Sequence, residues 1–104
     1  MIWEERSKYI AEFLEEHCLK VLTAKGVEYT RGEDDSNSNF KRVGKAIGID
    51  PERIAWVYTL KHIDSISHYI KTGNAGTEPI EGRIGDAINY LLILASLIKE
   101  KENG

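Results

Sequence analysis

From Ile80 onward the chain is apolar on two helical faces at once, and this limits the folds open to it. Ile80, Ile84, Ala87, Ile88, Leu91, Leu94, Ala95 and Ile98 recur at three- and four-residue spacing and make one stripe,. Arg83, Asp86, Asn89, Tyr90, Ile93 and Leu97 make a second stripe, polar at its start and apolar at its end. A helix of this kind must be covered on two sides, by its own core and by another helix or subunit. No apolar stretch of the chain prefers strict alternation. The reading is therefore an all-α domain of four helices, three long and one short, occupying residues 1–104 as a single unit.

The first helix is predicted over about Ile2 to Ala24, with Gly26 just past its end as a C-terminal cap,. Trp3, Ile10, Phe13, Leu14, His17, Cys18, Val21 and Leu22 form its apolar side. A polar connection from Gly26 to Asn37 follows, carrying the acidic run Glu33-Asp34-Asp35. Connections of that length tend to be functional or mobile. Ser38 is placed to cap a short helix over Asn39–Ile47, which Gly48 ends. Asp50-Pro51 opens the third helix, with Asp as cap and Pro at the first helical position; it should reach Lys71 and stop at Gly73. On it Ala55, Trp56, Thr59, Leu60, Ile63, Ile66 and Ile70 are assigned to the core. The fourth helix is predicted over about Glu78 to Glu102.

With 41% hydrophobic and 30% charged residues the composition is that of an ordinary globular domain,. The net charge of −3 gives no reason to expect binding to duplex nucleic acid,. A single cysteine, Cys18, excludes an internal disulfide, fits a reducing compartment and lies on the buried stripe, where it should be inert,. Leu91–Ile98 is too short and interrupted to span a bilayer, and the N-terminus shows no secretory pattern. A cytoplasmic protein with no membrane partner is expected.

Two helical faces mix polar and apolar groups in a way that suits a ligand. On the third helix, Lys61, Ser65 and His68 stand at i, i+4 and i+7 beside Asp64, with Tyr58 one turn earlier,. A lysine there would meet phosphate and a histidine would act as switch or base; the plainer alternative is a solvated face with a Lys61–Asp64 pair. On the fourth helix, Arg83 would clamp a phosphate while Asp86 and Asn89 hold a ribose hydroxyl or a metal-bound water. Its plainer alternative is an Arg83–Asp86 ion pair at a dimer interface. Glu12 and Glu15 form a weaker Glu-x-x-Glu pair of the kind that holds Mg²⁺, although an exposed charged face explains them as well. No glycine-rich phosphate loop, zinc spacing or serine elbow is present.

Three blocks together resemble the nucleotide-modification-associated domain family of small phage and prophage proteins. They are Lys25-Gly26-Val27-Glu28-Tyr29 with Asn39-Phe40-Lys41-Arg42-Val43, then Tyr58 to Ile66, then Glu78 to Ile84 with Asp86, Asn89 and Tyr90. More distantly the chain is similar to the all-α MazG-like nucleoside triphosphate pyrophosphatases, which hold Mg²⁺ on helical carboxylates in a dimer. Glu12, Glu15 and Asp86 match parts of that motif, but Arg83 stands where its second Glu belongs. The resemblance implies a phage-type protein that binds or sequesters a nucleotide, cyclic nucleotide or nucleotide-derived signal, with an anti-defence role as one consequence. Lys61, Arg83 and Arg42 would contact phosphate. Tyr29, Phe40, Tyr58 or Tyr90 would stack a base, Asp64, Ser65, Asp86 and Asn89 would read hydroxyls or base edges, and His68 would serve as switch or base. A Mg²⁺-dependent pyrophosphatase using Asp86, Glu81 and Glu28 is the first alternative. A helical adaptor for protein–protein contact is the second. A homo-oligomer formed through the third and fourth helices is expected in each case.

Overall fold

The computed structural model describes residues 1–104. It contains α1 (Trp3–Phe13), a π-helical turn (Leu14–Leu19), α2 (Lys20–Tyr29), α3 (Ser38–Ile47), α4 (Pro51–Thr72) and α5 (Ile80–Asn103), and no strand. The first three run end to end as one rod, so the molecule is four helices, three long and one short. No helix is long and apolar enough to cross a membrane.

The first rod differs from its predicted form in two ways. Its regular hydrogen bonding widens at the π turn, where the Lys20 N–H bonds to the Glu15 carbonyl,. It also passes through Gly26 and ends at Tyr29, five residues beyond Ala24. Gly26 is a helical residue here, because the left-handed backbone that stops the rod falls at Arg31 (φ 57°) and Gly32 (φ 74°). Thr30 adds a side-chain bond of 2.7 Å to the Gly26 carbonyl. The polar connection shrinks to residues 30–37. Asn37, not Ser38, is the residue flanking α3. Asp50 and Gly73 bound α4 as predicted, Gly73 in the left-handed conformation at φ 73°,.

α4 and α5 are antiparallel neighbours: Glu52 meets Lys101 near one end, and Tyr58 and His62 stack on Tyr90 in the middle. α3 lies against α4, and the π turn against α5. The small core joins Phe40, Ile54, Ala55 and Leu97, with Tyr90, Ile93 and Leu94 packed on it. This reverses part of the predicted pattern. Ala55 and Thr59 are buried on α4, but Trp56, Leu60, Ile63 and Ile70 face outward. On α5 the mixed stripe turns inward, burying Asn89 and Leu97; of the apolar stripe Ala87 is buried and Leu94 packs on the core as predicted, while Leu91, Ala95 and Ile98 are exposed. The reason is backbone approach. Gly85 sits so close to His17 that a Cβ would collide with the His17 carbonyl and side chain. Only the glycine side of α5 admits the first rod so closely, and that choice orients the whole helix.

Gly85→Ala should therefore cost about 1–3 kcal/mol of stability. Gly82→Ala, at a helical position with open space around it, should add about 0.5–1 kcal/mol,. Urea denaturation of the two variants checks both signs.

Candidate functional site

α2, the 30–37 connection, α3, α4, the turn before α5 and α5 itself line a cavity of about 560 Å³. Its base is aromatic. Tyr90 stacks on Tyr58 (5.5 Å between centroids) and on His62 (5.0 Å), both at 20°. Phe40 meets Tyr58 and Tyr90 edge-on at 6.4 and 6.3 Å. Phe40 is buried, so it is floor and not a free stacking face. Tyr29, about half exposed at the rim, is the ring of the four whose face is least engaged.

Two cations reach the cavity without a carboxylate partner. Lys61 enters no ion pair, and neither does Arg83, whose Nε donates to the Ala75 carbonyl at 2.5 Å. The Arg83–Asp86 and Lys61–Asp64 pairs that the sequence allowed do not form; Lys25 stands 3.8 Å from Asp86 instead. Asn89 is almost fully buried on the cavity wall. Its Nδ2 donates to the Cys18 carbonyl at 3.1 Å, and because that carbonyl only accepts, the amide orientation is settled,. Asn89 Oδ1 is left buried with no partner. An unpaired buried acceptor costs about 1–3 kcal/mol, and such orphans in native structures call for an explanation.

Electrostatics follow from burial. Desolvation lowers the His62 pKa, helped by Lys61 and Lys25 and opposed by Asp86, so the imidazole is held neutral,. Burial raises the Tyr90 hydroxyl, with Tyr29, Asp86 and Tyr58 adding to the shift. Burial also raises the Cys18 thiol, whose Sγ lies 3.9 Å from the Gly85 carbonyl. This agrees with an inert cysteine.

Of the residues singled out from the sequence, Tyr29, Phe40, Lys61, Arg83, Asp86, Asn89 and Tyr90 line this one cavity. Tyr58 supports it from behind through Tyr90. Asp64, Ser65 and His68 do not line it; they border a second, open cavity of about 350 Å³ with Lys71 and Asn74, and Arg83 is common to both. Arg42 does not line the cavity. Its guanidinium is spent on Glu33 (3.1 Å), Ser38 (3.3 Å) and the Tyr29 carbonyl (2.9 Å), which ties the 30–37 connection to α3 and positions Tyr29. The metal set is not assembled either. Glu28 and Glu81 do not line the cavity, and nowhere do three His, Cys, Asp or Glu side chains converge to hold an ion. Glu12 and Glu15 are exposed on the first rod and do not line the cavity that Asp86 borders.

The sequence reading missed Lys25, His62 and Glu78. His62 falls at i+4 from Tyr58, a spacing that could have placed it beside the same partner. It also missed Asn37, which is buried and donates to Ser96 (3.1 Å) and Glu100 (3.0 Å), fastening the connection to α5. Fold and site together define a small four-helix protein with a polar–aromatic cavity between its helices. Comparison with family models, curated proteins and solved structures gives no match.

The depressed His62 pKa has a defined consequence for stability. An unfolded histidine titrates near about 6.5. The contribution of neutral His62 is therefore present above that pH and is lost as the pH falls through the lower folded-state value. Between pH 7.5 and 5.5 the melting temperature of His62→Gln should fall less than that of the wild type, as measured by circular dichroism.

Proposed function

We propose that this chain binds a nucleotide or nucleotide-derived signal in the cavity between its helices and holds it without turning it over. One observation carries the reading. Two cations free of carboxylates, an accessible tyrosine ring and an orphaned buried acceptor converge on a single cavity of about 560 Å³. That volume lies within the range of small-molecule sites, about 300–1,000 Å³. Lys61 and Arg83 supply charge for phosphate, Tyr29 a face for a base, and Asn89 Oδ1 an acceptor for a base N–H or a sugar hydroxyl. The resemblance to nucleotide-modification-associated domains points the same way. In a phage-type cytoplasmic protein, tight retention would withdraw a defence messenger from its receptor.

The pyrophosphatase alternative is less well supported. Only Glu78 and Asp86 bring carboxylates to the cavity, and Asp86 already has Lys25 as its cation. Phosphoanhydride hydrolysis of the MazG kind needs a fuller acidic set. The donor set does not fit Mg²⁺. We also take the molecule to act as a homo-oligomer.

Isothermal titration against nucleoside mono- and triphosphates and cyclic nucleotides, with and without Mg²⁺, tests the reading. Binding should be independent of Mg²⁺, and the ligand should be recovered intact. Lys61→Ala should weaken it by about 10- to 100-fold, the value of one charge-assisted contact. Arg42→Ala should act less strongly, through the mobility of Tyr29. Release of phosphate or pyrophosphate would replace this reading with the hydrolase. Absence of binding to every nucleotide would favour the adaptor.

A further inference from the structure

The surface of the chain is too large for a folded monomer of its mass. Its accessible area is 7554 Å². The scaling law for monomers gives about 5,900 Å² for a chain of 11.8 kDa,. The radius of gyration, 15.3 Å, likewise exceeds the roughly 13 Å of a compact domain of this length,. Two features hold the excess. α1 buries none of its residues. The second feature is the outer side of the α4–α5 pair.

On α4, positions 56, 60, 63, 67 and 70 follow a four-three-four-three spacing; on α5, positions 84, 88, 91, 95 and 98 follow the same spacing. This is the heptad rhythm of packed helices. All are apolar except Ser67. Trp56, Leu60, Ile63, Leu91 and Ile98 are each 44–46% exposed. None of these ten positions lines the 560 Å³ cavity, and only Ser67 borders the open one of about 350 Å³. In an antiparallel pair the two stripes then share one face, on the side away from the cavity.

We infer that this face is the contact between two copies of the chain, packed about a two-fold axis into a shared four-helix core of α4, α5 and their symmetry mates. The area supports a second copy as occupant. The excess over a monomer is roughly 1,600 Å², and half of it meets the approximately 800 Å² per partner of a standard interface. Matching heptad spacing on both helices makes the face self-complementary, as an isologous contact requires. The cavity stays open in such a dimer. The inference deepens the oligomer reading and is independent of the ligand.

Sedimentation equilibrium of the full chain without nucleotide, at micromolar concentration, tests it. The wild type should give twice the mass of one chain. Ile63→Glu and Leu91→Glu each change a side chain already exposed, so both should keep their helical circular dichroism. Each should weaken the dimer at least 10-fold. Ile10→Glu on α1 should leave it intact. A monomeric wild type, a dimer indifferent to both face variants, or a dimer lost only in Ile10→Glu would overturn the inference.

Discussion

The close approach of the first rod to α5 at Gly85 is the constraint on which the rest depends. Without a side chain at position 85 the backbone at His17 comes into contact with α5. The Cys18 carbonyl then accepts from Asn89 and its thiol reaches the Gly85 carbonyl. The π turn lies at this crossing, and π turns are often found where a helix has been reshaped for a function,. Asn89 is thereby fixed by one end of its amide and left unpaired at the other. The contact that locks the fold also creates the most demanding polar atom of the site.

Around that contact the molecule divides into two sides. One side holds the cavity, closed by the 30–37 connection. That connection is tied down by Arg42 to Glu33, by Lys41 to Asp35, and by Asn37 to α5. The residues that look most disposable in composition, an acidic run and a few cations, neutralise one another and position Tyr29. The other side is an apolar face that the fold leaves bare. A chain this short has little surface to spare for burial, and it divides what it has between a polar–aromatic cavity and an exposed apolar face,.

Much of the architecture was legible from the sequence because local physics governs it. Helical periodicity, Asp50-Pro51 at the start of α4 and Gly73 at its end follow from backbone preferences that act over a few residues. Most of the site residues on α5 were legible for a related reason: Arg83, Asp86, Asn89 and Tyr90 are polar groups on a helix otherwise rich in aliphatic side chains. What could not be read was which stripe of α4 and α5 faces inward. Both stripes satisfy the helical period equally, and choosing between them requires knowing what packs against each. Arg42 illustrates the same limit, since nothing local tells a phosphate contact from a brace to Glu33 nine residues away.

The sequence by itself determined four helices, their junctions and the set of polar groups available for chemistry, because these depend on spacing and on backbone dihedrals. The tertiary structure decided which of those groups meet. It gathered Tyr29, Lys61, Arg83, Asn89 and Tyr90 on one cavity, sent Asp64, Ser65 and His68 to another, and turned Trp56, Ile63 and Leu91 outward. The physical reason is steric: the one glycine face where two backbones can touch sets the rotation of α5, and every side chain on that helix follows.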